Sequence, residues 1–454
     1  MARKNLHRSQ RTLHWLLLVV LGLSVVPLGG NRVFVSSATA FALVTLFFVQ
    51  FIAMVLTSAQ PLRRLSTGWP VVVSLALFGC WVWLQTSAFT GVPLSADVHS
   101  TRMQLLATAG YLAAFCLVVL QVQGGSEVRH FVKALVFLGV AQALLAIYLY
   151  SGQVEYELFH FPVDHANRTM GTFSYHNSLA NYLVICLCLG VGLLVSGLGD
   201  AASHERNWRS RVVSALNMAF SEVVRLRVML LVMVVALVLT KSRMGNAAFM
   251  LALLLVAVPV LAMKGHLRLK GMLLVLSIIV LDVFFVGQLV GFDEVAKRMN
   301  KTAIEAVDGA REESLEDRSA PARLAMAMAQ ETPWMGRGAG TFYTTFPQYA
   351  SADARMYYDH AHNDYAQFLV EVGVIGTSLL AAAVLATLAR AVAVISRPRT
   401  TTDMGIALGV LMATLAVLLQ ASVDFHFQIP ANALLFVVVL AIPWLLRRQP
   451  KPLP

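Results

Sequence analysis

The sequence predicts an all-α, polytopic membrane protein with about twelve transmembrane helices and one long, partly helical loop on the non-cytoplasmic face. Of the 454 residues, 58% are hydrophobic and only 13% are charged, and the mean hydropathy is +0.69. So little polar surface cannot cover a water-soluble globule of this length. The apolar residues also fall in repeated runs, most of them long enough to cross a hydrocarbon core of about 30 Å.

The net charge of +11 would suggest nucleic-acid binding in a soluble protein. Here the basic residues are interleaved with apolar runs, so membrane topology explains the charge better. We therefore expect membrane lipid, and no nucleic acid, as a partner. The four cysteines all lie inside apolar runs, at Cys80, Cys116, Cys186 and Cys188. The sequence predicts neither a disulfide framework nor a thiolate metal site.

Twelve apolar windows are candidate membrane spans. They are 13–29, 37–57, 69–88, 103–122, 130–150, 178–198, 226–240, 246–263, 270–290, 366–389, 403–421 and 429–446. The first window follows a basic N-terminus, but it is too long for a signal peptide and no small-residue cleavage pattern follows closely, so an uncleaved helix is expected. The seventh window is short, and a tilted or broken helix is expected there.

The orientation follows from lysine and arginine, which are retained on the cytoplasmic side of a membrane. Twelve spans place both termini on one side, and when that side is cytoplasmic its segments hold 22 of the 35 basic residues. Most of the others lie in the 151–177 loop, at the Lys241–Arg243 corner and in the 291–365 segment. Because basic residues are disfavoured on the outer face of a membrane protein, those that lie there need a reason.

The chain divides into helices one to nine at 1–290, the long outer loop at 291–365, and three further helices with a short cytoplasmic tail at 366–454. A loop of this length is usually functional. The first part of the loop, up to about Arg318, carries mixed charges and is expected to be solvated and partly helical. The later GRGAG sequence at 336–340 has no preceding strand and is not a nucleotide-binding fingerprint. It predicts a tight turn, or a close backbone approach to a phosphate or sugar.

Four segments in the second half of the chain carry a family pattern. HAHNDYAQFLVEVGVIG at 360–376 leads into the tenth span and follows RLAMAMAQETPWMGRGAGTF at 323–342. RTMGTFSYHNSLANYL at 168–183 and TKSRMGNAAFMLAL at 240–253 stand upstream. In this order they resemble the recurring segments of the O-antigen ligase and polymerase superfamily, including its His-Asn signature followed by two glycines. The first five spans match only as generic apolar helices.

The resemblance implies a GT-C-like glycosyltransferase of the bacterial inner membrane that completes lipopolysaccharide. A ligase of this kind transfers O-antigen from undecaprenyl diphosphate to a sugar hydroxyl of lipid A core on the periplasmic face. The family's chemistry inverts the sugar carbon and uses no metal or other cofactor. Such a reaction requires a base for the acceptor proton, cations for the departing diphosphate and exclusion of water.

His362 is the residue that the resemblance assigns to the acceptor proton, because a neutral imidazole titrates close to neutral pH. The alternative is a histidine that caps or anchors the tenth helix at the membrane interface. His360 stands two residues away, either near the reacting hydroxyl or as an exposed loop histidine. Asn363 either orients the base or a sugar hydroxyl, or serves as the helix N-cap.

Arg243 and Arg323 match family positions, and Arg168 opens a third family segment. A guanidinium binds phosphate oxygens bidentately, so the three are assigned to the donor diphosphate. Snorkelling to lipid headgroups is the alternative for Arg243, and surface salt bridges are the alternative for the other two. The supporting candidates on these segments are Lys241, Arg318 and Asn177. A local ion pair with the adjacent acidic residues also explains Arg318.

Asp424 stands with His426 in the last outer loop, where it either holds an arginine or a histidine tautomer or is simply a carboxylate at a helix end. Asp282 lies in the ninth span, where a carboxylate needs a partner that the sequence does not identify. The outer segments lack the clustered carboxylates that hold magnesium, so no metal is expected.

Two groups of alternatives remain open. A polysaccharide polymerase and a protein O-oligosaccharyltransferase belong to the same superfamily and differ from a ligase in their acceptor, which the sequence does not identify. A lipid-linked glycan transporter or flippase belongs to another class, for which twelve spans are usual. The long outer loop and the His and Arg residues on one surface, instead of at the bilayer midplane, argue against a transporter.

Overall fold

The computed structural model describes residues 2–57, 59–87, 94–152, 168–198, 222–265, 267–289, 315–349 and 358–446. Over these residues the chain is helical and forms no β-strand, which confirms the predicted all-α fold class. The first part of the long loop, 291–314, lies outside the described residues.

The helices mostly follow the apolar windows of the sequence. They are α1 (Ala2–Val25), α2 (Val33–Leu56), α3 (Pro61–Leu65), α4 (Trp69–Gln85), α5 (Val98–Gln121), α6 (Gly125–Gly152), α7 (His176–Gly197), α8 (Glu222–Leu239), α9 (Arg243–Ala252), α10 (Val258–Ala262), α11 (Arg268–Leu289), α12 (Leu315–Glu331), α13 (Phe342–Thr345), α14 (Asp364–Ser396), α15 (Thr401–Ala421) and α16 (Pro430–Leu445).

Eight helical stretches among the described residues are long and apolar enough to cross a membrane. They are α2, α3 with α4, α5, α6, α7, α9 with α10, α14 and α15. Two shorter apolar helices cover Thr12–Val25 and Pro430–Leu445. The prediction of a polytopic membrane protein is confirmed, whereas the count of twelve spans is not.

The chain packs into two compact units, each assembled from distant segments. The first unit comprises residues 1–121, 291–387 and 418–441, and the second comprises 122–290, 388–417 and 442–454. The candidate residues divide accordingly. His360, His362, Asn363, Arg318, Arg323 and Asp424 belong to the first unit, and Arg168, Asn177, Lys241 and Arg243 belong to the second.

Small residues allow close helix contacts within each unit. In the first unit, a Cβ atom on Gly110 of α5 would lie 2.7 Å from the Cα of Ala40 in α2. In the second unit, a Cβ on Gly192 of the buried helix α7 would lie 2.5 Å from the carbonyl oxygen of Gly405 in α15. Membrane helices associate mainly through such van der Waals packing, since lipid is as apolar as their side chains.

Three of the eight candidate spans are irregular, and the seventh window, where a tilted or broken helix was expected, is not among them. That window forms the continuous helix α8. A 3-10 turn at Ser66–Gly68 separates α3 from α4. A π-helical turn at Leu253–Ala257 separates α9 from α10, just before Pro259. Within α14, Gly373 departs from helical geometry with φ 64° and ψ −172°, a backbone region that is almost restricted to glycine.

Candidate functional site

The His-Asn signature forms the entry to helix α14. Asn363 immediately precedes the helix, and its side-chain oxygen accepts a hydrogen bond from the amide of Ala366 at 3.0 Å. Its side-chain nitrogen donates to the carbonyl of Ser422 at 2.9 Å. Asn363 therefore caps the helix and joins it to the last loop, which agrees with the N-cap alternative.

His362 adopts a left-handed backbone conformation, with φ 50°. Residues other than glycine seldom occupy this region, and they do so mainly where the surrounding structure determines the conformation. Its Nδ1 atom lies 3.9 Å from Oδ1 of Asp424, and its side chain is 11% exposed. The ring also meets Phe425 edge-on, with 5.0 Å between centroids. Two of the residues singled out from the sequence, His362 and Asp424, are thus brought together.

Asp364 holds the loop that carries Asp424. Its backbone amide donates to the carbonyl of Asp424 at 3.1 Å. Its buried carboxylate accepts from the amide of Phe427 at 3.0 Å and from the side-chain nitrogen of Gln428 at 3.3 Å. The first residue of α14 therefore ties the start of the helix to the loop that faces His362.

His360 is a packed neighbour and not an exposed loop residue. Its ring stacks on Phe425 with 4.5 Å between centroids, and its Nδ1 lies 3.5 Å from the side-chain nitrogen of Gln367. Burial, and secondarily the charge of nearby His362, lowers the pKa of His360 to about 4. At neutral pH this ring is uncharged.

A line of polar side chains continues from His360 along one face of α14. Gln367 donates to Oε1 of Glu371 at 3.0 Å. Glu371 is buried, and its carboxylate accepts from the backbone amides of Gly340 at 2.9 Å and Phe342 at 3.3 Å. These contacts join the histidine segment to the glycine-rich loop at 336–340. Neither Gln367 nor Glu371 was singled out from the sequence, because their partners come from other elements.

The glycine-rich loop packs against the break in α14. The carbonyl of Glu371 accepts from the amide of Gly338 and from the side chain of Gln85, both at 2.9 Å. The carbonyl of Val372 accepts from the indole of Trp81 at 3.0 Å. The backbone groups that the break at Gly373 releases are therefore hydrogen-bonded within the protein, as an irregular helix in a membrane requires.

The loop has no backbone donors left for a ligand. All seven amides from 336 to 342 donate within the protein, to carbonyl oxygens or to the side chains of Gln85 and Glu371. This arrangement supports the turn interpretation of GRGAG. It provides no backbone cradle for a phosphate or sugar.

Arg323 belongs to the same unit as His362. Its helix, α12, packs through Ala325, Met328 and Ala329 into a core cluster that includes Ala361 and Ala366. Arg323 itself lies on the exposed face of α12, because the buried positions follow the helical repeat and leave it outside. The side chain of Arg318, in the first turn of α12, lies outside the described part of the chain.

The second unit brings the other basic candidates onto neighbouring segments. The amide of Thr169, next to Arg168, donates to the carbonyl of Leu239 at 3.1 Å, just before the Lys241–Arg243 corner. Arg168 lies 3.1 Å from Nε2 of His176. Arg243 is exposed at the first position of α9, behind the N-cap Ser242, whose side chain accepts from Gly245.

The other two supporting candidates in this unit have structural roles. Asn177 is buried at the start of α7, and its side chain donates to the hydroxyl of Tyr175 at 3.0 Å. Lys241 has a positive φ of 54°, so it forms the sharp corner between α8 and α9.

Comparison with known proteins gives one family match. Residues 228–381 match the Wzy_C family model, which is described as O-antigen ligase. The matched stretch covers about a third of the chain and is similar to O-antigen ligases. No curated protein matches the chain.

The O-antigen ligase match contains most of the candidate residues. Lys241, Arg243, Arg318, Arg323, His360, His362 and Asn363 lie inside it, and Arg168, Asn177 and Asp424 lie outside it. It also includes Gln367, Glu371 and the glycine-rich loop. Asp424 therefore lies outside the family match, and the fold brings it next to the His-Asn signature. Among the described residues no group of three or more histidine, cysteine or acidic side chains is arranged to hold a metal ion.

Proposed function

We propose that this protein is an O-antigen ligase that transfers a glycan from undecaprenyl diphosphate to a sugar hydroxyl of lipid A core. The observation that supports this most directly is the pairing of His362 with Asp424 at the start of α14, within a chain whose residues 228–381 match the ligase family. A carboxylate beside an imidazole is a common arrangement for a general base.

In the proposed reaction, Asp424 holds the Nδ1 side of His362 and leaves Nε2 for the acceptor. The proton of the acceptor hydroxyl passes to Nε2 while the oxygen forms a bond to the anomeric carbon of the donor sugar. The bond from that carbon to the diphosphate breaks, and its electron pair leaves with the polyprenyl diphosphate. The sugar carbon is inverted, and His362 later returns its proton to solvent.

Arg243, Arg323 and Arg168 are assigned to the charge of the donor diphosphate. Two of them, Arg243 and Arg323, are exposed in the structure and lie within the residues that match the family model. A guanidinium is permanently charged and forms paired hydrogen bonds with phosphate oxygens. The arginines would therefore stabilise the leaving group without a metal ion.

The proposed location is the bacterial inner membrane, with both termini cytoplasmic and the reaction on the periplasmic face. Eight membrane-spanning candidates and the family match support a membrane location. The orientation rests on the asymmetric distribution of lysine and arginine.

Reconstitution distinguishes the proposed ligase from its relatives. Purified full-length protein is mixed with polyprenyl-diphosphate glycan and with either lipid A core or additional lipid-linked glycan. Growth of lipid A core is the result expected of a ligase. Growth of the lipid-linked glycan alone would instead identify a polymerase, and glycan that only crosses the bilayer would identify a transporter.

A further inference from the structure

The side-chain amide of Gln367 is fully engaged between the histidine segment and the glycine-rich loop. Its oxygen accepts from the backbone amide of Ala361 at 3.1 Å. Its nitrogen donates to Glu371 at 3.0 Å and lies 3.5 Å from Nδ1 of His360. A planar amide that uses both its oxygen and its two N–H groups fixes three partners in one orientation.

Ala361 lies between the two histidines, and it is completely buried. The chain after His362 is held by Asn363 and Asp364, which bond to the 422–428 loop. On the other side of His362, the contact of Ala361 with Gln367 is a backbone anchor to α14. The left-handed backbone of His362 is thus fixed from both sides. A strained conformation of this kind persists only when its surroundings determine it.

Glu371 connects this anchor to the glycine-rich loop at 336–340 and to Gln85 of α4. Its carboxylate accepts from Gly340 and Phe342, and its carbonyl accepts from Gly338 and Gln85. Gln85 is itself buried and also donates to the carbonyl of Met335 at 2.8 Å. Through Glu371, Gln367 is therefore connected to a hydrogen-bonded network that includes Gly338, Gly340 and Gln85.

We propose that Gln367 is a positioning residue for the transfer reaction, which holds the His360–Ala361 backbone so that the ring of His362 stays aligned with Asp424. The inference rests on the proposed function, since it requires His362 to be the base. Gln367 is proposed to contact neither substrate and to act only through the geometry of the histidine segment. A misplacement of about 1 Å at a reacting group costs on the order of 100-fold in rate.

The test compares Gln367→Met with wild-type full-length protein in detergent. Methionine keeps the length and approximate volume of glutamine but makes none of its hydrogen bonds. We expect kcat for glycan transfer to fall on the order of 100-fold, while KM for the lipid-linked donor stays within about twofold, because the arginines assigned to the donor are unchanged. The matched control is Gln50→Met, which changes another buried glutamine of the same unit, in α2.

Hydrogen exchange provides a readout that does not depend on activity. In Gln367→Met the amide of Ala361 loses its acceptor, so the peptide that contains Ala361 should exchange faster than in wild type and in Gln50→Met. A kcat for Gln367→Met within about twofold of wild type would overturn the positioning role. The positioning role would also be overturned if Gln367→Met and Gln50→Met lost kcat equally and the loss matched an equal loss of folded protein.

The same experiment separates this inference from the proposed function. Wild-type protein that forms no product with either acceptor would overturn the ligase proposal, and the positioning role with it. Active wild-type protein with an unaffected Gln367→Met variant would leave the ligase proposal standing and refute the role of Gln367 alone.

Discussion

His362 has a backbone conformation that an L-residue adopts at a cost of about 1–2 kcal/mol. The cost is offset by anchors on both sides, at Ala361 and at Asn363. Strain that is retained in this way is common at functional sites. The orientation of His362 therefore depends on its neighbours as much as on the histidine itself.

Asp424 should affect the rate of transfer more than donor binding. In Asp424→Asn the imidazole loses the charge beside it that holds its orientation, so we expect kcat to fall by about tenfold or more, with donor KM little changed. Steady-state kinetics on purified protein measure both constants. Asp403→Asn, which alters another buried aspartate at a helix start, serves as the control, and equal kinetics for the two variants would refute the assignment.

His426 should make the fold sensitive to acid. Burial lowers the pKa of this histidine to about 3, whereas an unfolded chain binds the proton near pH 6.5. Between these values the unfolded state holds more protons, so stability decreases as the pH falls through that window. In His426→Leu the decrease in Tm between pH 7 and pH 5 should be smaller than in wild type. If the Tm of both proteins in detergent decreased by the same amount between pH 7 and pH 5, His426 would not contribute to the acid sensitivity.

Sequence reasoning identified His362, Asn363 and Asp424 but not Asp364, Gln367 or Glu371. The first group follows from a local signature and from polarity in an outer loop. The second group acts through backbone partners that are close only after folding, such as Gly340 for Glu371 and Phe427 for Asp364. An acidic or amide residue inside an apolar helix was a usable signal, since such residues need partners in a membrane.

Helix α14 is divided by Gly373 into a short half that begins at the histidine signature and a long half that continues the span. The 333–338 segment pairs with the backbone groups at the division. A Cβ on Gly373 would lie 2.3 Å from the carbonyl oxygen of Trp334. The end of the first half of the helix is therefore hydrogen-bonded to the 333–338 segment, through Arg337 and Gly338.

Gly373→Ala should destabilise the protein strongly. Alanine is strained by about 1–3 kcal/mol in this conformation, and the added methyl group also collides with Trp334. We expect a lower yield of folded protein and a lower Tm in detergent. Gly79→Ala in α4, where an added Cβ meets only a methyl carbon at 3.7 Å, is the matched control. A Tm equal to that of the control would show that the division of α14 is not required.

The apolar windows located the helices well, because a run of hydrophobic residues is a local property. They did not locate the break in α14, since the window that contains Gly373 is apolar enough to predict one continuous span even though it includes Gln367 and Glu371. The break depends on donors from distant elements, including Trp81 and Gln85, which precede it by almost 300 residues. Hydropathy alone contains no information about these partners.

At the scale of the whole molecule, the two compact units cut across the order of the chain. The fold class was predictable because composition and hydropathy exclude a water-soluble globule. The number of spans was not settled in the same way, since eight helical stretches among the described residues are long and apolar enough to be candidate spans. The grouping of 315–349 with the first five helices also depends on tertiary contacts that no local pattern reveals.

The proposed orientation is testable with single cysteines. Asp97 lies between the third and fourth predicted spans, on the proposed periplasmic side, and Arg63 lies between the second and third, on the cytoplasmic side. In intact cells, a membrane-impermeant maleimide should label Asp97→Cys and not Arg63→Cys, and permeabilised cells should label both. Wild-type protein controls for the native cysteines. The reverse labelling would invert the topology and place the histidine signature in the cytoplasm.

The most direct measurement is the rate of glycan transfer from polyprenyl diphosphate by His362→Ala compared with wild type under single-turnover conditions. We expect the rate of transfer to fall about 10²–10⁴-fold, which is the usual contribution of a general base, while donor binding is retained. His99→Ala, at an exposed position near the start of α5, should transfer at the wild-type rate. Transfer by His362→Ala at the wild-type rate would contradict the proposed role of His362 as the general base.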